Sequence, residues 1–375
     1  MGMLVLLPAL AVVGAPLAFA DAGEGAGVVD EASTSGPVEP APKPRRWSIL
    51  PVPTIDYTPE TGPSAGGVAL VTMRPWEDTR PSTFELEATV TWKLQVMVET
   101  SWQVYTRRND WRIAGSVAGM RYPETWWGVG PDTPDGAAED YDAWRVEIAP
   151  SLERRVWRDL YVGPSWELQW MFGLDPTPGG LLDGGGVVGA DGGVSSGVGY
   201  TASWDTRANP SNPTAGSRLL SIRQHLYDTW TGSAYRFTTT TLDTRAYLGT
   251  WPGHVVAMQA FVDLRTGEPP FRKLAMLGGD TIGRGYWYGR VRDQHLLAGQ
   301  VEYRAPIWWR FGAVLFVGVA EVTPDLARHA PDWLKPTFGG GLRVRLVDEE
   351  QLNLRVDYAQ GLGSSGIYFG FGEVF

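Results

Sequence analysis

The chain has 375 residues, 32 Lys and Arg against 42 Asp and Glu, a formal net charge of −10, 18 tryptophans and no cysteine. The absence of cysteine excludes disulfides, thiolate metal sites and cysteine nucleophiles. The acidic balance lacks the basic footprint of a nucleic-acid-binding domain, so no nucleic-acid partner is expected.

In chain order, Leu4 to Ala20 is an apolar run ending in Ala18-Phe19-Ala20, the small-x-small pattern of a signal-peptidase site. Residues 1–20 are therefore expected to be a cleavable signal peptide. Residues 21–46 are rich in Gly, Ala, Pro, Ser and acidic side chains and end in Pro42-Lys43-Pro44-Arg45-Arg46. Such a composition cannot bury a core and is expected to form a disordered tether. No later stretch approaches the roughly 20 apolar residues of a spanning helix.

From Trp47 onward the pattern is strand after strand with period-2 alternation. Phe84, Leu86, Ala88, Val90 and Trp92 alternate with Glu85, Glu87, Thr89 and Thr91. The same holds for Leu342, Val344 and Leu346 against Arg343 and Arg345, and for Leu352, Leu354, Val356 and Tyr358 against Asn353, Arg355 and Asp357. A soluble sandwich shows this alternation too. The inverted arrangement, apolar side chains to lipid and charges to a lumen, is favoured by the number of strands and by tryptophans beside turns, such as Trp92, Trp111, Trp157, Trp251, Trp308 and Trp309. The expected fold is all-β: a transmembrane antiparallel β-barrel of about 16 strands over residues 47–375. Residues 271–278 are expected to edge a loop, and 351–375 to hold two strands split at Gly361 to Ser365, the chain ending inside the second. The four longest connections, 122–140, 173–196, about 270–294 and 323–337, all fall at odd-numbered positions and so emerge on one side, opposite short turns. That asymmetry is the one expected of outer-membrane barrels.

No Ser/His or Asp/His motif of a hydrolase is marked, the GxSxG elbow is absent, and His225, His254, His295 and His329 stand apart from one another in sequence. They are expected to be solvated or lumen-facing. No enzymatic activity, cofactor or metal is expected. The glycine-rich segment 179–197 carries Asp183 and Asp191, too few regularly spaced oxygens for a calcium cage, and reads as a flexible surface loop.

The stretch Met276 to Ile307 opens with Gly278-Gly279-Asp280 and Gly283-Arg284-Gly285-Tyr286 before passing into an alternating strand. By itself it is a glycine-rich turn with an arginine. Together with three other motifs it resembles the BamA/TamA superfamily, the outer-membrane protein insertases and two-partner secretion transporters also called bacterial surface antigens. Ile55 to Gly62 is similar to the family's opening hairpin. Asp205 to Gly216, with Asp205, Arg207, Pro213 and Gly216, resembles its D-x-R…P-T-x-G periplasmic turn. Arg284-Gly285-Tyr286 resembles the R-G-[FY] signature of the long sixth surface loop. Gly370, Phe371, Gly372 and Phe375 belong to what looks like the terminal assembly signal.

The resemblance implies that the sixth loop folds into the lumen, where Arg284 meets acids on the wall. Glu302 matches one such position; the other acid's place, in an F-x-D-x-G pattern, is taken by Gly318, so Glu321 or another acid must substitute. Arg284, Gly285, Tyr286 and Glu302 are thus the expected loop latch. The family's insertases carry periplasmic POTRA domains before the barrel. Only residues 21–46 stand there in this chain, which resembles the family's stand-alone barrels. A seam is expected where a last strand with Gly370 and Gly372 meets a first strand with Pro51 and Pro53, which lack ladder donors. The implied function is assembly or translocation of polypeptide, or of lipid, at the outer membrane of a Gram-negative-type bacterium. The implied partners are outer-membrane lipid, unfolded polypeptide cargo and an unidentified periplasmic protein. The alternatives are a passive diffusion channel and a structural barrel without transport.

Overall fold

The computed structural model describes residues 47–58, 61–76, 78–347 and 352–375. The expected signal peptide (1–20) and tether (21–46), and the turn residues Pro59, Glu60 and Asp348 to Glu350, lie outside the described residues.

The strands are β1 (Trp47–Thr58), β2 (Gly62–Met73), β3 (Ser82–Thr91), β4 (Val96–Tyr105), β5 (Trp111–Arg121), β6 (Glu124–Trp126), β7 (Glu139–Ile148), β8 (Ser151–Trp157), β9 (Leu160–Pro176) and β10 (Gly193–Asp205). They continue as β11 (Arg218–Tyr227), β12 (Phe237–Gly249), β13 (Val255–Gly267), β14 (Ala275–Leu277), β15 (Val291–Asp293), β16 (His295–Trp308), β17 (Phe311–Thr323), β18 (Lys335–Val347), β19 (Leu352–Gln360) and β20 (Ser365–Phe371). Neighbours in sequence pair antiparallel throughout the main sheet, as in Leu50↔Leu70, Phe261↔Asp243 and Gln300↔Gly318. β7 and β8 are two halves of one strand, since both pair with β5 on one side and β9 on the other. The break falls at Pro150, which has no N–H for the ladder. With that pair counted once, and the short β6 treated as an extension of its hairpin with β7, the sheet has the expected sixteen strands. Residues 275–277 form a separate ribbon with β15, in keeping with the loop edge expected there. β1 and β20, the two ends of the meander, lie alongside each other, yet among the described residues no register joins them.

The two faces of the sheet settle the direction of the alternation. On β3, Phe84, Leu86 and Val90 are exposed while Thr83 and Thr91 are buried; on β17, Leu315, Val317 and Val319 are exposed. On the opposite face Arg112, Glu153, Asp243, Arg265, Glu302, Arg343, Arg355 and Asp357 are all buried. A water-soluble sandwich would bury the first set and expose the second. The charged face curls around a cavity of about 550 Å³ lined from β4 to β13 and, beyond them, by Asp280, Arg355 and Glu373.

The apolar core lies between this curled face and the long connection, residues 268–294. Ala275, Leu277, Ile282 and Val291 pack against Phe261, Leu296, Ala320 and Val322 of the sheet. Each fully buried Leu, Ile or Val contributes roughly 1.5–3 kcal/mol, enough to seat the connection against β13, β16 and β17.

Two expectations need correction. Segment 179–197 is not simply a flexible surface loop. The Glu139 carboxylate accepts N–H bonds from Leu181 and Leu182 at 2.7 and 3.1 Å, and buried Leu182 joins a cluster with Trp126, Tyr141 and Phe271. Asp183 accepts the Gly179 N–H at 2.8 Å. The chain also does not end inside a strand. β20 stops at Phe371, Gly372 has φ +73°, and the last residues turn onto the 206–217 connection, where the Glu373 N–H donates to the Ser211 carbonyl at 2.7 Å.

Candidate functional site

The 268–294 connection brings together most of the residues singled out in the sequence. Arg284 is 1% exposed and is held on three sides. One amino group lies 2.6 Å from Glu302 Oε1 on β16, the other 3.2 Å from Asp357 Oδ2 on β19. The guanidinium carbon sits 3.6 Å from the centre of the Phe316 ring on β17. Planar delocalised charge suits Arg to this combination of forked ion pairs and ring stacking. Asp357 is thus the acid that supplies what Gly318 lacks. Glu321 does not; it pairs with His329 at 3.1 Å.

Gly285 has φ +98°, and a Cβ there would stand 2.7 Å from the Gly361 nitrogen, so only glycine fits the approach. Its N–H donates to the Tyr368 hydroxyl at 2.9 Å, and its carbonyl accepts from Ser364 Oγ at 2.7 Å. Tyr286 does not meet Glu302. It packs on Gly361, accepts the Leu362 N–H at 2.8 Å and donates to the Pro336 carbonyl at 3.1 Å. Asp280 adds a pair to Arg355 at 2.7 Å. This anchor ties the connection to β16–β20.

A second anchor, unmarked in the sequence, ties it to the other side of the sheet. Glu124 on β6 is buried and pairs with Arg272 at 2.6 Å and Arg145 at 3.2 Å, and accepts from Tyr141. Burial by itself lowers the Arg272 pKa, but the Glu124 carboxylate outweighs it and carries the value above the ordinary arginine range. Arg292 stacks on Trp126 at 4.7 Å and has no carboxylate contact among the described residues, and burial holds its pKa below the ordinary value. The Gly130 N–H donates to the Arg292 carbonyl at 2.9 Å, Trp127 and Trp287 meet edge to face, and Arg290 pairs with Asp135 at 2.6 Å. Spacing could not reveal the contacts of the long connection with residues 124–135, because Arg272 and Glu124, for example, lie 148 residues apart in the chain.

Arg207 is buried and donates to both Asp205 oxygens, at 2.9 and 2.8 Å. Pro213 is buried, and the Gly216 N–H donates to the Tyr247 carbonyl at 2.8 Å. Gly370 serves close approach: a Cβ there would lie 2.6 Å from Arg355 Nε. Phe371 ends β20, and Phe375 packs with Tyr247 and Ala257 on the charged face. Of the histidines, His225 is buried with Nε2 2.9 Å from Ser165 Oγ. Its Nδ1 lies 3.6 Å from Glu167, which is already engaged by Lys273 and Tyr227.

Together these observations define a large antiparallel sheet with an apolar outer face, whose charged face is spanned by one latched connection. Residues 191–375 match the Omp85 superfamily domain, which places this part of the chain in the Omp85 superfamily. That membership is consistent with the expected outer-membrane location. Among solved structures, the chain is similar to BamA from Haemophilus ducreyi lacking POTRA domains 1–3, at 15% identity and a TM-score of 0.56, covering 87% of this chain and 70% of that one. It is likewise similar to CdiB from Acinetobacter baumannii, at 12% identity and 0.56, covering 87% of this chain and 60% of that one. CdiB from Escherichia coli matches at 11% identity and 0.58, covering 88% and 63%. No curated protein matches the chain.

Proposed function

We propose that residues 47–375 close along β1 and β20 into an outer-membrane barrel whose lumen is plugged by the 268–294 connection, and that the barrel assists insertion or translocation of polypeptide, or of lipid. The observation that carries this reading is the Arg284 latch. An arginine this deeply buried, paired with two acids on wall strands, holds the connection inside the curled sheet rather than leaving it in solvent. A junction of β1 with β20 lacking a register supports a seam, and Pro51 and Pro53 on β1 withhold two N–H donors there. The resemblance to insertases supplies polypeptide as cargo. An unidentified periplasmic protein, and outer-membrane lipid around the exposed apolar face, complete the proposed partners.

The test is reconstitution into liposomes with a urea-unfolded outer-membrane barrel as client. Faster folding of the client than in empty liposomes is expected. An unchanged rate, together with steady ion conduction, would favour a passive channel, the reading suggested by the charged 550 Å³ cavity.

A further inference from the structure

The Arg284 latch is one part of a larger closed circuit. Glu302 passes from Arg284 to Arg304 at 2.7 Å, and Arg304 reaches Glu373 at 3.7 Å. Glu373 pairs with Arg343 at 2.8 Å, Arg343 with Asp357 at 2.5 Å, and Asp357 returns to Arg284 at 3.2 Å. Three guanidiniums and three carboxylates alternate around this ring, and each side chain is at most 8% exposed. Four members are fixed on wall strands. The other two come from segments outside the wall: Arg284 from the long connection and Glu373 from the tail after β20.

We infer that the ring couples the two ends of the molecule, so that the long connection and the C-terminal tail hold each other in place through charge balance. With all six members present the ring is neutral, and Arg355, which also reaches Asp357 at 3.4 Å, brings its own acid, Asp280, at 2.7 Å. Without Arg284 it carries one excess negative charge, and the only carboxylate not fixed to a wall strand is Glu373. Without Glu373 it carries one excess positive charge, and the only such guanidinium is Arg284. In a desolvated setting an unbalanced charge is costly, so loss of either segment's charge favours release of the other.

The tail has a seat to leave. Arg304 donates to the Phe375 main-chain oxygen at 2.7 Å, and Asn353 donates to Glu373 Oε1 at 2.9 Å. The Glu373 N–H bond to Ser211 links the tail to the 206–217 connection. A change at the long connection is thereby passed to the short-turn end. The coupling is independent of what the barrel carries. It is also reciprocal, as any equilibrium coupling between two sites must be.

Because the chain has no cysteine, a single introduced thiol reports one position cleanly. Val374→Cys reports the tail and Ile282→Cys, at a buried position, reports the connection. Maleimide labelling rates are measured on the full purified chain, with heat-modifiable gel migration confirming assembly of each variant. Arg284→Ala is expected to speed labelling at 374, and Glu373→Gln to speed labelling at 282, each by about tenfold, within the range of typical coupling energies. Arg284→Lys, which keeps the charge, leaves the 374 rate near wild type. The Arg284→Ala, Glu373→Gln double variant, neutral again, gives effects that are not additive. If Arg284→Ala speeds labelling at 282 but not at 374, or Glu373→Gln leaves 282 unchanged, the coupling is refuted. Should Arg284→Ala fail to assemble, the Glu373→Gln arm decides alone.

Discussion

The two anchors of the long connection solve one problem, holding a segment against a curled, charged face, with opposite wiring. Both acids that hold Arg284 have a second arginine. Glu302 also holds Arg304, and Asp357 also holds Arg343 and Arg355. At the Glu124 anchor a single carboxylate serves two arginines, Arg145 and Arg272, with Arg292 close by on Trp126. A distributed circuit softens the loss of a member, because each acid left behind keeps another arginine and release of the tail relieves the excess charge. A hub does not, since its loss strands buried cations with no alternative partner.

This contrast ranks the consequences of substitution. Glu124→Gln is expected to be the most damaging, because it leaves two buried guanidiniums uncompensated. A loss of about 3–5 kcal/mol follows, read as early protease cutting within 268–294. A thermal profile unchanged from wild type would show that another anion serves the hub. Arg284→Ala should cost less, roughly 3 kcal/mol, the low end for a broken buried pair, because Glu302 and Asp357 keep other partners. If it proved worse than Glu124→Gln, the distinction between circuit and hub would fail. At the margin of the second anchor, Arg290→Ala removes a pair whose acid, Asp135, is 95% exposed, so a change below about 1 kcal/mol is expected.

The smallest effect concerns pH. The hydrogen bond to Glu321 raises the pKa of His329 in the 324–334 connection. A raised folded-state value means that this contact contributes fully below the ordinary histidine pKa and is lost as pH rises through the raised value. Hydrogen exchange of 324–334 should therefore quicken on raising pH through that window more than the intrinsic rate predicts. His329→Gln should remove the excess, and a profile unaffected by that substitution would detach the connection from this contact.

What could be read in the sequence follows the range of the interactions. Alternation is local, so the strands and the outward apolar face were legible. Arg284, Gly285 and Glu302 were legible because a motif marked them. Asp357, named in the sequence only among the alternating charges of its strand, is the second acid holding Arg284, since only the folded sheet brings β19 within reach of residue 284. Glu124 and Arg272 carry no local signal either. The terminal residues misled for the opposite reason. Their alternation is strand-like, but Gly372 bends the backbone and Glu373 and Phe375 find partners on the charged face.

The central claim is that a connection held at both sides fills the interior, and single-channel conductance in a planar bilayer addresses it most directly, comparing the intact chain with one lacking residues 272–293. A mostly closed, flickering conductance that becomes wide and steady on deletion is the predicted result. Large steady openings in the intact protein, unchanged by the deletion, would contradict it.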